Sequence, residues 1–255
     1  MNDEALLANW WMVFLRAGGL MALFPVFSAP VVTPRLRVAL AAMVAFLIAP
    51  AIPEVAIAGW RLPDLAITMA QEMCIGLLLG FVCRMLFFAL EVSGSIITAE
   101  IGLSLPPSFN PLTASQATIP GVLLNYLATV LWLCLDMHHW LLVGIHRTYA
   151  LVPVGAAHLS ETLIRGVLAW MGWLFLAAMQ IAAPVLALSF ILSLVFSVMG
   201  RAVPQMNVFS ASFAVRILGG LMVFAAAIQV MGLHIVNHLK RLPDDLLRLA
   251  QVLGA

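Results

Sequence analysis

The sequence predicts an all-α membrane protein of about six long hydrophobic helices or helical hairpins. Hydrophobic residues make up 64% of its 255 residues, charged residues make up 9%, and the mean hydropathy is +1.10. Soluble domains carry about 25% charged residues, so the composition excludes a soluble domain. The apolar residues also fall into separate blocks, divided by breaks that carry proline, serine or threonine. The net charge is only +1 and the basic residues are scattered, so the sequence shows no basic patch of the kind that binds nucleic acid.

The blocks differ in length, and a helix that spans a bilayer needs about 20 apolar residues. The second block is short for a span unless it packs on other protein. The fifth is long enough to extend well beyond a bilayer. The blocks are Leu6–Phe27, Val38–Ile52, Leu65–Leu90, Val122–Val143, Leu163–Met199 and Phe213–Val236, and an amphipathic tail, Lys240–Leu249, follows the last of them.

The break Arg201–Phe209 lies between two of the longest apolar segments, in which Ile181–Met199 and Ile217–Leu233 contain no charged residue. It contains an arginine, a proline, a glutamine and an asparagine within nine residues. Such groups are costly at membrane depth unless protein partners satisfy them. We therefore expect this irregular backbone to be buried against other protein and not against lipid.

A second informative stretch, Gln71–Gly102, is predicted to form one long helix. Gly76 and Gly80 have the GxxxG spacing that lets helix backbones approach closely. Charged groups in an apolar helix usually face a bundle interior or a watery cavity. Two interpretations remain open: pairing between helices, which is favoured, or a proton or ion relay. The charged residues concerned are Glu72, Arg84, Glu91 and Glu100.

The loop Ser104–Pro120 is irregular and polar, and no charged residue occurs from Ile101 to Leu135. Its four prolines prevent a regular helix. It fits an ordinary extramembrane loop. It also fits a pore constriction or plug, where a fixed charge would bind or repel passing chains.

Histidines and an aspartate near the ends of apolar blocks raise the question of a metal site. Zinc needs three or four converging ligands with supporting contacts. His234 and His238 have the spacing of a zincin helix, but Ile235 stands where that mechanism needs a glutamate. We expect no metal, no cofactor and no enzymatic activity. The other candidates are Asp136, His138, His139 and His146.

Taken together, these stretches resemble the FliR/SctT family of type III secretion export-gate subunits. The similarity runs nearly end to end, and the Arg201–Phe209 break is its most specific part. The order Gln205-Met206-Asn207-Val208-Phe209 favours the flagellar branch over the injectisome branch, SctT. The resemblance also rests on Glu72, Gly76, Gly80, Phe88, Gly94, Gly102, Asn110-Pro111 and Leu133–His139.

The resemblance implies an export gate assembled with FliP-like and FliQ-like subunits in the bacterial inner membrane, at the flagellar basal body. Most of the gate would lie toward the periplasmic side of that membrane. Residues 1–160 would form a FliP-like part with the plug loop 104–120. Residues 161–255 would form a FliQ-like hairpin with the amphipathic tail. The cargo would be unfolded flagellar protein.

The same resemblance implies roles for individual residues. A FlhB-like switch protein would contact the hairpin turn near the cytoplasmic entrance. The implied channel plug is Pro106, Pro107, Phe109, Asn110 and Pro111; the hairpin-turn motif is Arg201, Pro204, Gln205, Asn207 and Phe209; the helix-packing glycines are Gly76, Gly80 and Gly94.

Two other functions are less favoured. One is an ion or solute transporter, against which the lack of a convincing internal repeat counts. The other is a membrane metalloenzyme, which would depend on the histidines.

Overall fold

A computed structural model describes residues 3–29, 31–53, 61–103, 118–157, 161–202 and 208–254. Within these ranges the chain is almost entirely helical, which confirms the predicted all-α class. Five of the described helices are long and apolar enough to cross a membrane, or six if the bent pair α5–α6 forms one broken span. The helices are α1 (Asp3–Leu23), α2 (Pro25–Ser28), α3 (Pro34–Ile48), α4 (Leu62–Ile101), α5 (Ile119–Cys134), α6 (Met137–Leu151), α7 (Glu161–Ala202) and α8 (Val208–Leu253), with a 3₁₀ turn at Ala49–Ala51.

The start of α3 follows directly from its sequence. Thr33 is the N-cap, and its hydroxyl oxygen accepts a hydrogen bond from the Leu36 amide at 3.4 Å. Pro34 occupies the first helical position, where a missing N–H costs nothing. The guanidinium of Arg37 donates back to the carbonyls of Ser28, Ala29 and Val32, so the break before α3 has its acceptors satisfied.

The end of α4 is equally local in origin. Gly102 adopts a φ of 83°, a left-handed conformation in which glycine meets no Cβ penalty. The amide of Leu103 then donates to the Thr98 carbonyl at 3.0 Å, and the amide of Gly102 donates to the Ala99 carbonyl at 3.2 Å. These bonds close the last turn of a 40-residue helix, as a C-terminal glycine cap does.

The predicted blocks and the helices differ at several boundaries; for example, Leu6–Phe27 is divided between α1 and α2, and α4 continues past Leu90 to Ile101. Two other differences have identifiable causes. The predicted block Val122–Val143 is divided between α5 and α6, because Asp136 takes a left-handed φ of 52° that aspartate tolerates. The predicted tail Lys240–Leu249 is not separate, because α8 continues through Pro243 to Leu253. Its amphipathic character is as predicted: Leu242, Leu246 and Leu249 are buried, and Lys240, Arg241, Asp244 and Arg248 are exposed.

The helices contribute to two compact units. The first consists of Met1–Leu86, Trp132–Met171 and His238–Ala255. In it α1 packs on α3, and the Trp10 indole donates to the Ala42 carbonyl at 3.3 Å. The Phe24 ring lies 5.3 Å from the Trp132 ring, between centroids, and adds an aromatic cluster to the core.

The second unit consists of Phe87–Leu131 and Gly172–Asn237. Here the end of α4 meets α8, because Gly220 lies directly against the Ile101 side chain. Leu188 of α7 reaches Gly219 of α8, so these two helices pack together as well. Each compact unit draws segments from residues 1–160 and from residues 161–255. The predicted division into a FliP-like part and a FliQ-like part concerns likeness to other subunits and stays a prediction.

Candidate functional site: buried charges and close helix contacts

The first compact unit is organised around one buried ion pair. Arg16 of α1 and Glu72 of α4 are both fully buried, with side-chain exposures of 0%. The guanidinium contacts the carboxylate through two parallel hydrogen bonds, Nε to Oε2 at 2.7 Å and Nη2 to Oε1 at 3.0 Å. This bidentate geometry is the strongest that an arginine and a carboxylate make. It fixes the rotation of α1 and α4 about each other.

The remaining donors of Arg16 bind α6 and the turn after it. Nη1 donates to the Thr148 hydroxyl at 3.1 Å, and Nη2 donates to the Val152 carbonyl at 3.2 Å. The guanidinium carbon lies 3.7 Å from the centre of the Tyr149 ring, within the range of a cation–π contact. A buried charge is tolerated only when such partners surround it. Arg16 therefore connects three helices through one side chain.

Glycines bring the same two helices into backbone contact. Gly76 lies one turn after Glu72, and a Cβ added there would collide with the Arg16 carbonyl. A Cβ at Gly80 would lie 2.7 Å from the Leu20 carbonyl oxygen. The predicted glycine pair therefore lies at the α1–α4 crossing, where small residues permit close approach. In the second unit, Gly94 lies equally close to Gly121 of α5.

A second polar cluster lies within the second unit. The Ser189 hydroxyl of α7 donates to the Glu100 carboxylate of α4. Arg216 of α8 donates to Ser189 Oγ through Nη1 at 3.4 Å and to Ser193 Oγ through Nη2 at 2.7 Å. A cation and an anion are thus bridged by a hydroxyl at a point where three helices meet. Three of these side chains, those of Glu100, Ser189 and Arg216, line a small crevice together with Ile101, Val185, Leu188, Leu192 and Gly220.

The other two predicted pairing residues lie in different surroundings. Arg84 is half-buried in the first unit and has an interaction partner of its own. Glu91 is exposed in the second unit. No hydrogen bond or ion pair joins the Glu91 carboxylate to another side chain within the described part of the chain. The predicted interpretations, helix pairing or a relay, stay predictions for these two residues.

Most of the hairpin-turn motif and the whole proposed plug lie outside the described residues. Arg201 is exposed in the last turn of α7, and Phe209 belongs to the first turn of α8. The predicted residues that lie outside the described ranges are Pro204, Gln205, Asn207, Pro106, Pro107, Phe109, Asn110 and Pro111.

Among the described residues, one group has the composition of a metal site. The ligand atoms of Asp136, His138 and His139 lie within 4.8 Å of one another at the bend between α5 and α6. Asp136 and His139 are exposed and His138 is half-buried. His146, which the sequence places on the same helix, is exposed two turns further on. His234 is half-buried and His238 is buried in α8, where neither belongs to a group of three ligands among the described residues.

The sequence analysis missed several residues of the two clusters. Each of the cations stands alone in an apolar block: Arg16 in the first and Arg216 in the last. That isolation is a usable signal, because a lone cation in an apolar helix needs a partner from another helix. Nothing in the sequence alone indicates the neutral members, which are Thr148, Tyr149, Ser189 and Ser193.

Large apolar surfaces remain uncovered on the two longest helices. Only 22% of the candidate span in α7 and 17% of that in α8 is buried within the chain. Soluble monomers rarely expose continuous apolar patches of this kind, so these faces contact lipid or other protein. The large exposed apolar residues of α7 are Ile164, Leu168, Met171, Phe175, Leu176, Met179, Phe190, Ile191, Leu194, Val195 and Val198.

The fold and the clusters define an all-α membrane protein whose ionised groups fix helix packing. The chain belongs to the bacterial export proteins, family 1, because the model of that family matches residues 7–242. It is 27% identical to the flagellar biosynthetic protein FliR of Escherichia coli strain K12, over 85% of this chain and 83% of that protein. The FliR protein of Buchnera aphidicola from Acyrthosiphon pisum is 26% identical over 95% and 92%, respectively. The FliR protein of Caulobacter vibrioides is 25% identical over 91% and 93%. These matches confirm the family that the sequence resembles.

Proposed function

We propose that the chain is a structural subunit of a flagellar type III export gate. In this proposal it forms part of the channel, and of its plug, through which unfolded flagellar proteins cross the inner membrane. The family match over nearly the whole chain supports the general role, and relatives that carry the name FliR support the flagellar branch over an injectisome. The gate would contain FliP-like and FliQ-like subunits as neighbours.

The length of the uncharged part of α7 is the observation that carries the proposal. No charged residue lies between Arg165 and Arg201, and these 36 residue steps measure about 54 Å along a helix. A hydrocarbon core about 30 Å thick accommodates about 39 Å of helix even at a tilt of roughly 40°, the upper end of the usual range. About 15 Å of apolar helix therefore extends beyond the acyl chains.

The apolar side chains at both ends of this run are exposed within the chain. Leu168 is 62% exposed near the start of the run, and Val198 is 67% exposed near its end. Lipid cannot cover both ends of a run longer than the hydrocarbon core. Neighbouring subunits would cover the excess, with much of the assembly raised toward the periplasmic side of the membrane.

Co-purification tests the proposal. The chain carries an affinity tag and is expressed with its FliP-like and FliQ-like partners, then extracted in a mild detergent. We expect a stable hetero-oligomer, and we expect a strain that lacks the chain to be non-motile and unable to secrete flagellar proteins. A chain that purifies alone from cells in which both partners are present would contradict the proposal.

The plug has its own test. Within the proposal, the loop containing Pro106, Pro107, Phe109, Asn110 and Pro111 seals the resting channel. Deletion of Ser108–Ala117 would then produce an ion leak or slow growth. An unchanged leak in an assembled complex would refute the sealing role.

The hairpin turn is proposed to lie near the cytoplasmic entrance, in contact with a FlhB-like switch protein. Combined substitution Arg201→Ala and Gln205→Ala should reduce motility without preventing expression of the chain. If the doubly substituted complex assembles and motility is unaffected, the assignment fails.

A further inference from the structure

Glu91 is a carboxylate followed on its face of α4 by uncharged exposed residues. It is exposed on α4 in the second unit, and the next residues exposed along the same face are Ser95 and Ala99. On α5, which approaches α4 through Gly94 and Gly121, the side chains are uncharged throughout. Isolated ionised groups are expensive in apolar surroundings and usually pair with a group of opposite charge.

No lysine or arginine of the chain provides that partner. All 12 lysine and arginine residues lie in the described ranges, and none is within ion-pair distance of Glu91. The loop that joins α4 to α5 contains no lysine or arginine, so it cannot supply a cation either. An arginine or lysine that pairs with this carboxylate would therefore have to come from outside the chain.

We propose that Glu91 forms an ion pair with an arginine or lysine on an apolar helix of a neighbouring gate subunit. The inference rests on the proposed function, because it requires an assembly, and it identifies one point of contact within it. Charge complementarity selects the partner: a carboxylate on an apolar helix face is stabilised by a cation brought to it in a desolvated interface.

The shape of the surface is compatible with a helix as the occupant. Ser95 and Ala99 lie one and two turns after Glu91, and their small side chains leave space for a second helix to approach. The Ser95 hydroxyl is already satisfied, since it donates to the Val92 carbonyl at 2.7 Å. Of Glu91, Ser95 and Ala99, the group that still needs a polar partner from the second helix is therefore the carboxylate of Glu91.

The experiment compares Glu91→Gln and Glu91→Lys with wild type by the fraction of tagged chain that co-purifies with its partners. Glu161→Lys is the matched control, because Glu161 is also an exposed carboxylate at 77% exposure but pairs with Arg165 of its own helix. We expect the control to assemble normally and Glu91→Lys to lower the assembled fraction at least about tenfold, with Glu91→Gln intermediate. Circular dichroism of each purified chain verifies that it is folded.

Two further measurements identify the partner. Suppressors of Glu91→Lys, selected for restored motility from mutagenised partner genes, should replace an arginine or lysine by an acidic residue. In a background with Cys74, Cys83 and Cys134 replaced by serine, Glu91→Cys should resist a membrane-impermeant maleimide in the complex and react in the isolated chain.

Several results would overturn the inference while leaving the proposed function intact. They are normal assembly of Glu91→Lys beside an assembling wild type, equal assembly of Glu91→Gln and wild type, suppressors confined to this chain, or labelling of Glu91→Cys in the complex. The last result would place the carboxylate in water, as in a channel wall. Failure of the wild-type chain to assemble would instead contradict the proposed function itself.

Discussion

The Arg16–Glu72 pair gives the most quantitative prediction. Both side chains are fully buried, so Glu72→Gln leaves the Arg16 guanidinium uncompensated at the centre of the first unit. Removal of one partner of a buried ion pair destabilises a protein by about 3–5 kcal/mol. At roughly 2–4 °C per kcal/mol for a chain of this size, the midpoint of thermal unfolding should fall by about 6–20 °C.

The exposed pair Glu161–Arg165 supplies a matched control within the same chain. Its Nη2–Oε1 distance is 2.8 Å, close to the 2.7 Å of the buried pair, but its side chains are 77% and 76% exposed. Exposed pairs contribute about 0–1 kcal/mol, so Glu161→Gln should lower the midpoint by no more than about 4 °C. The comparison sets a buried bidentate pair between two helices against an exposed pair within one helix, in which both donors reach the same oxygen, Oε1.

The double variant Arg16→Met, Glu72→Leu completes the cycle. Replacing both charged partners by apolar groups removes the uncompensated charge, so it should destabilise less than the sum of Arg16→Met and Glu72→Leu measured singly. Unfolding of the purified protein is followed by intrinsic fluorescence of its seven tryptophans. Equal losses for Glu72→Gln and Glu161→Gln, or full additivity in the cycle, would refute the assignment of Arg16 as the residue that holds the three helices together.

Two further pairs of variants test packing and polar contacts. Gly80→Val should destabilise the chain by about 1–3 kcal/mol through collision with α1, as overpacking does, which thermal unfolding would detect. Gly166→Ala, where nothing lies within 4 Å, should instead be neutral or stabilising by up to about 1 kcal/mol, and a loss comparable to that of Gly80→Val would be inconsistent with the open site. Ser189→Ala should cost about 1–3 kcal/mol because it leaves the groups it bridges unsatisfied. Ser95→Ala, whose hydroxyl bonds its own helix, should stay within about 0.5 kcal/mol, and equal effects of the two serine variants would count against the bridge.

The helical class and the positions of most helices could be predicted from the sequence because composition and apolar block length are strong signals. The break Ser28–Pro34 was also predictable, since Thr33-Pro34 is a recognisable helix start. The division at Asp136 was not, because the predicted block Val122–Val143 ran across Asp136 and the bend depends on the left-handed torsion of that residue. The continuation of α8 through Pro243 was not predicted, because proline usually ends a helix and here it does not.

The glycine contacts can be predicted from the sequence better than the charge clusters can. Gly76 and Gly80 have a spacing with a known physical use, so their place at a helix crossing could be anticipated. The partner of Glu72 could not, because Arg16 lies 56 residues earlier in the chain and nothing local specifies the pairing. Pairing between helices of distant sequence position depends on the packing arrangement, which apolar periodicity does not encode.

The most direct test of the account is a single-particle map of the complex purified from native membranes through a tag on this chain. Neighbouring subunits should cover the apolar side chains at one or both ends of the run between Arg165 and Arg201, and a basic residue of one neighbour should contact Glu91. A chain that stands alone, with detergent around the full length of α7, would contradict it.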